Sequence, residues 1–133
     1  MNHWLIPCSV KKFDIVQHFS ITDTAFFKRN RALSVGDIVY IYVASPYSAV
    51  LYKGEIIKAG VLPSELPEEY KTTRFDSGTY VEVKKIMDFP DRFLTKDELK
   101  DCGVGQVVNQ QSISEKSLDY LMSLEDKLLG GDE

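Results

Sequence analysis

Runs of β-branched and aromatic residues separated by turn formers dominate the middle of the chain. From Asp37 to Ala44, the residues Ile38, Val39, Tyr40, Ile41, Tyr42 and Val43 follow one another with no charged residue among them, entered through the turn signal Val35-Gly36-Asp37. Such residues fit a pleated surface, so the run predicts a strand. A second run, Ser48 to Lys58, comes after the connector Ser45-Pro46-Tyr47, and the two are expected to pair as a hairpin. Thr79 to Asp88 alternates Tyr80, Glu82 and Lys84 with Val81, Val83 and Lys85 before Ile86 and Met87. That pattern suits a sheet with one solvated face. His3 to Pro7 reads as a short strand ended by Pro7, which cannot donate to a ladder.

Helical spacing occurs in three places. Ser9 is placed to cap a helix from about Lys11 to Phe19, with Phe13, Val16 and Phe19 on one side. Thr95 followed by Glu98 forms a capping box for a helix from Lys96 to Asp101, stopped by Gly103. From Glu115 to Leu129, the residues Leu118, Leu121, Met122, Glu125, Leu128 and Leu129 share a side, and Gly130-Gly131 ends the helix. Residues 20–34 show no clear period and read as unstructured. Residues 60–78 read as a loop with at most one helical turn near Glu68 to Lys71, and Gln106 to Asn109 as a short closing strand. The resulting order predicts an α+β fold in one domain spanning residues 1–133: a small, mostly antiparallel sheet curled into an open barrel with helices across its ends.

At 133 residues and 44% hydrophobic, the chain is long enough to bury roughly two-thirds of its unfolded surface without disulfides or metal. Cys8 and Cys102 match no metal or haem spacing and are too few for a disulfide framework, so a reducing compartment is expected. No apolar run approaches the ~20 residues of a membrane span, and Met1 to Cys8 lacks signal-peptide character. A soluble, cytoplasmic protein with no membrane partner is the expectation.

The net charge of -4 conceals an asymmetry. Residues 1–60 carry seven basic groups against four acidic ones, a balance of +3; residues 61–133 carry nine against sixteen, a balance of -7. An acidic whole does not exclude a local basic face, because association responds to local potential.

Catalysis needs a nucleophile with its base, paired carboxylates, a metal set or a phosphate cradle. The sequence holds no GxxxxGK[ST], GxGxxG, HExxH or GxSxG pattern, and Gly103-Val104-Gly105 is too short to count. His3 and His18 lie in no acidic constellation, and Cys8 and Cys102 read as buried small hydrophobes. The expectation is a protein that is not an enzyme, with no catalytic residue, metal or cofactor. Three features remain. Phe26-Phe27-Lys28-Arg29-Asn30-Arg31 offers cations for phosphates beside rings that can stack. The hairpin carries Tyr40, Tyr42, Tyr47 and Tyr52 with Ser45 and Ser48 at its tip, and Trp4 is the only tryptophan. A site for a flipped or unpaired base needs these parts together: rings, neutral donors and acceptors, and cations.

The sequence resembles the EVE domain family of the PUA-like superfamily, which also holds the YTH, ASCH and PUA domains. The likeness rests on His3-Trp4-Leu5-Ile6-Pro7, on Arg31 to Tyr42 with its Val35-Gly36-Asp37-Ile38-Val39-Tyr40-Ile41-Tyr42 core, and on Val107 to Asn109 leading through Ser112-Ile113-Ser114 into the last helix. It implies a small curled β-barrel flanked by helices that recognises nucleic acid, DNA or RNA, through a modified or flipped base in an aromatic-lined pocket. Phe27, directly before Lys28, with Phe26 as the alternative, takes the place of the family's tryptophan, and Gln106, Asn109, Gln110 and Gln111 replace its closing basic pattern. The GxKxxExR pattern of the ASCH branch is absent. Together the residues and the resemblance single out Trp4, Phe27, Tyr42, Ser45, Tyr47, Ser48 and Asn109 for the base, and Lys28, Arg29 and Arg31 for phosphates. The alternatives are a pocket for a free nucleotide-like molecule and a protein-interaction module using the acidic last helix.

Overall fold

The computed structural model describes residues 2–9, 14–67, 78–90, 94–101 and 110–128. In chain order these form β1 (His3–Cys8), α1 (Ile15–Phe19), β2 (Thr24–Lys28), β3 (Ile38–Val43), β4 (Ala49–Val61), a 3₁₀ turn (Pro63–Glu65), β5 (Tyr80–Asp88), β6 (Leu94–Thr95), α2 (Lys96–Asp101), β7 (Gln111–Ser112) and α3 (Glu115–Leu128). All seven strands belong to one sheet with the path β2-β5-β4-β3-β1-β7, and β6 pairs β4 off that path. The architecture is the expected α+β one, and every pairing is antiparallel except β1 with β3.

The sheet curls. Trp4 on β1 and Phe27 on β2 lie four strands apart along the path, yet both sit in one buried cluster with Ile6, Val39, Ile41, Val81 and Val83. Residues of α1, Ile15 and Phe19, belong to the same cluster. Register shifts along β4, between Lys53 and Gly54, between Ile56 and Lys58, and between Lys58 and Val61, mark the bulges that bend that strand. At Gly54 a Cβ would stand 2.5 Å from Val83 Cγ1 and 2.9 Å from the Lys84 carbonyl oxygen, so only glycine permits this cross-strand approach. The other face of β1 and β3 presents Leu5, Tyr40 and Tyr42 to a second cluster with Val50, Phe89, Leu94, Leu99 of α2 and Leu121 of α3. Because both faces of β3 are covered, its run is apolar throughout rather than alternating. Each large apolar side chain buried in these clusters contributes ~1.5–3 kcal/mol.

Several elements differ from the sequence expectation. The segment read as unstructured contains β2, whose Phe27 enters the main core while Phe26, on the opposite face, packs with Val61, Leu66 and Tyr80. Pro7 does not end β1: it pairs with Tyr42, on a stretch of β1 beyond the two residues that β7 covers, an open edge that tolerates proline. The cap of α1 is Asp14, whose Oδ1 accepts the Gln17 N–H at 3.1 Å, so the helix begins at Ile15. The capping hydrogen bond ahead of α2 is present, from Glu98 N–H to Thr95 Oγ1 at 3.3 Å. The predicted strand at Gln106 to Asn109 and the turn at Glu68 to Lys71 lie outside the described residues, whereas β7 pairs Gln111 and Ser112 with Leu5 and Trp4. Met122 is exposed rather than packed on the apolar side of α3.

Candidate functional site

The loop between β2 and β3, residues 29–37, carries the basic segment. Its entry into β3 is fixed by Asp37, which is only 4% exposed. Asp37 Oδ2 accepts the Trp4 Nε1–H and the Ser34 N–H, both at 3.0 Å, and Oδ1 accepts the Asn2 N–H at 3.0 Å. Burial alone pushes this carboxyl up, but the donors of Asn2, Trp4 and Ser34 outweigh it and hold Asp37 below the ordinary carboxylate range. Asp37 thus ties β1, the loop and β3 into one rigid junction.

The basic residues are held by their backbone and displayed by their side chains. Arg29 donates its N–H to the Thr79 carbonyl at 2.9 Å and its Nε–H to the Leu33 carbonyl at 3.0 Å. Gln110, 4% exposed, accepts the Asn30 N–H on Oε1 at 3.0 Å and donates from Nε2 to the Lys28 carbonyl at 2.5 Å. Its own main-chain carbonyl accepts the Arg31 Nε–H at 3.0 Å. One side-chain amide therefore bridges residues 28 and 30 as a neighbouring strand's peptide would, joining the end of β2 to the start of β7 where no ladder joins those two strands among the described residues. Lys28, Arg29 and Arg31 are all exposed. Beside them lies an open cavity of about 490 Å³ lined by Arg29, Leu33, Ser34, Val35, Ala59, Gly60 and Thr79.

The residues singled out for base binding are not brought together. Trp4 and Phe27 lie in the main core, 8% and 7% exposed, and the Trp4 ring is further fixed by its bond to Asp37. The curl of the sheet turns both inward. Tyr42 faces the opposite side of the sheet, in the cluster under α3, so it shares no pocket with Trp4 or Phe27. Ser45, Tyr47 and Ser48 belong to the turn that leaves β3, whereas the basic segment belongs to the loop that enters it. The six residues of β3 separate the two by about 17 Å. Tyr47 is half-buried against the main core. Asn109 lies outside the described residues. What assembles at the basic end instead is Lys28, Arg29, Arg31, Ser34, Asp37, Thr79 and Gln110. Asp37 was visible in sequence only as a turn residue, and Gln110 only as a neutral replacement in a basic pattern.

Other polar groups have structural partners. On the α3 face the Tyr40 hydroxyl donates to Glu125 Oε2, and Lys53 Nζ stands 2.8 Å from Glu125 Oε1. Burial and the Glu125 carboxylate push the Tyr40 phenol well above its usual value, while burial and Lys53 draw His3 below its own. Burial, with Asp14 nearby, pushes the Cys8 thiol up to about 12. His18 donates Nε2–H to the Thr24 carbonyl at 2.7 Å. Among the described residues no three His, Cys, Asp or Glu side chains are grouped to hold a metal ion, and no helix is long and apolar enough to cross a membrane.

The sequence matches no protein-family model and no curated protein. Solved structures do match. A tyrosine-to-phenylalanine variant of the ASCH protein of Zymomonas mobilis superimposes with a TM-score of 0.70 at 11% identity, covering 93% of this chain and 99% of that one. A hypothetical protein from Leishmania major gives 0.67 at 21% identity, covering 97% of each chain. Human THYN1, in complex with DNA containing 5-methylcytosine, gives 0.65 at 15% identity, covering 95% of this chain and 98% of that one. The fold is therefore the PUA-like one shared by ASCH proteins and THYN1, and at these identities the likeness extends to the fold alone.

Proposed function

We propose that this chain is a non-enzymatic nucleic-acid-binding module of EVE type, which grips DNA or RNA at the basic end of its barrel and reads a modified or flipped base there. The observation that carries this is the display of Lys28, Arg29 and Arg31 on one short segment whose backbone is pinned by Gln110 and Thr79. Cations on a fixed frame position a phosphate backbone, and base contacts beside them specify it. That human THYN1, of the same fold, is solved with methylated DNA supports the same class of ligand. Trp4 and Phe27 back this end from within the core rather than forming walls of a cage. The hairpin tip with Ser45, Tyr47 and Ser48 lies at the other end of β3 from these cations.

The absence of catalysis belongs to the same proposal. A thiol with its pKa raised to about 12 stays protonated and is no nucleophile near neutral pH, and His18 is engaged with a backbone carbonyl. A titration of the protein with modified and unmodified oligonucleotides across a salt series tests the proposal. Binding should weaken linearly in log salt, and Arg31→Ala should lower the slope by about one. No binding at low salt refutes it.

A further inference from the structure

The basic segment ends on a hydroxyl that phosphate-backbone contacts leave unused. Arg29 and Arg31 stand five and three residues before Ser34, the apolar Val35 follows it, and no other serine or threonine of the chain has arginine at both places. Arginines so placed are what one class of serine kinases reads, because two guanidinium forks match carboxylates beside the kinase's active site. The structure keeps this pattern readable. Residues 29–37 lie in a loop, and from 29 to 35 only Leu33 is buried, while Val35 is 62% exposed. Arg29 and Arg31 are held through Nε, by the Leu33 and Gln110 carbonyls, which leaves their terminal nitrogens for another acceptor. Among the described residues the Ser34 hydroxyl meets only the Ala32 carbonyl, at 3.5 Å, the outer limit of a hydrogen bond. Thr95, by contrast, has a single arginine three places before it and spends its hydroxyl on the Glu98 N–H ahead of α2.

We infer that Ser34 is a phosphorylation site, through which an arginine-directed serine kinase releases nucleic acid from the basic end. The inference rests on the proposal that this end binds nucleic acid, and it adds the regulation of that grip. In the transfer the bond from the γ-phosphorus of ATP to its β,γ-bridging oxygen breaks and a bond from Ser34 Oγ to that phosphorus forms. ADP leaves, and the hydroxyl proton passes to the kinase's carboxylate base. Lys28, Arg29 and Arg31 sum to +3. A phosphoserine carries about -1.5 to -2 near neutral pH, so the segment falls to about +1. Ser34 and Arg29 line the same open cavity, which gives the new phosphate a guanidinium to pair with bidentately. The Ser34 N–H is fixed on Asp37 Oδ2 at 3.0 Å, so the modified residue stays where it competes for that arginine. Strand and kinase need the same two arginines, and bound nucleic acid therefore shields Ser34.

The experiment incubates the intact chain with ATP, Mg²⁺ and the catalytic domain of protein kinase B, and maps the phosphate by mass spectrometry. The protein is titrated before and after with a labelled DNA duplex and a labelled single-stranded RNA across a salt series. Phosphate should appear at Ser34, more slowly when the nucleic acid that binds is present in excess. Phosphorylation should weaken binding by about tenfold or more at about 50 mM salt and flatten the salt slope by about one to two, and a phosphatase should restore both. Ser34→Glu, which adds a single charge, should move affinity and slope the same way by a smaller amount, and thermal melting establishes that it is folded. Kinase treatment of Ser34→Ala should leave its own affinity unchanged. No phosphate at Ser34 of the folded chain overturns the site. Phosphate at Ser34 that leaves affinity and slope unaltered overturns the switch, and both results leave the basic end standing. Failure of the unmodified protein to bind either nucleic acid at low salt overturns the reading of the basic end and the switch with it.

Discussion

Removal of the Asp37 carboxylate is the sharpest perturbation the junction offers. Three donors converge on it at 3.0 Å, from Asn2, Trp4 and Ser34. In Asp37→Ala the N–H groups of Asn2 and Ser34, both exposed residues, regain water, but the Trp4 indole N–H is left in a buried space. A stranded buried donor costs ~1–3 kcal/mol, so the variant should lose about 2–3 kcal/mol of stability. That is a large part of the 5–15 kcal/mol typical of a domain. Asp37→Asn keeps a carbonyl oxygen for the Trp4 and Ser34 donors and turns its amide toward Asn2, so it should lose only about 1 kcal/mol. Urea unfolding followed by the fluorescence of the single tryptophan, Trp4, reads the difference at the site itself. The pH dependence has a definite sign. The folded carboxyl titrates below its unfolded value of about 3.9, so its contribution is complete above that value and lost as pH falls through the window beneath it. The gap between wild type and Asp37→Asn should be flat from pH 8 to about 5 and close below about 4. A midpoint shift for Asp37→Ala worth less than ~1 kcal/mol, or a gap that does not close in acid, refutes the account.

Three further outcomes follow from the same geometry. Glu125→Leu strips the Tyr40 hydroxyl and Lys53 of their shared acceptor and should cost ~3 kcal/mol, and a Tyr40→Phe and Glu125→Gln double-mutant cycle should show a coupling of at least ~1 kcal/mol. Gly54→Ala drives a methyl against Val83 and the Lys84 backbone and should cost at least ~1–3 kcal/mol in chemical denaturation, with no compensating gain. Cys8, buried and with its pKa near 12, should resist alkylation at pH 8 in the native protein and react on unfolding, as peptide mapping by mass spectrometry would show.

The hairpin of β3 and β4 was legible in the sequence because its residues are individually suited to a buried sheet and its turn is local. β2 was not, because Phe27 is buried and Phe26 half-buried on opposite faces of the strand, which erases the alternation that would mark it. The parallel pairing of β1 with β3 leaves no trace in residue periodicity, since a strand looks alike in either direction. The charge of Lys28, Arg29 and Arg31 was plain, and so was its contrast with the acidic second half. The arrangement around it was not. Gln110 and Asn30 meet across 80 positions and Asp37 and Trp4 across 33, and only the curl of the sheet decides that these rings turn inward and that the hairpin tip points away.

The parallel strand β1, next to the end of the sheet, also orders the assembly of the chain in time. The last pair of the β3–β4 hairpin, Val43 with Ala49, closes across six positions. Pairing His3 with Ile38 closes across 35, and Trp4 with Ser112 across 108. Loop-closure entropy makes those later contacts costlier by about 1.5 and 2.5 kcal/mol. A hairpin nucleus should therefore form first, with β1 enclosed after residues on both sides of it in space have arrived from distant parts of the chain. Trp4 rides on that late strand. Its emission dates the completion of folding and is blind to the beginning, so a second probe on the hairpin would run ahead of it in any refolding experiment.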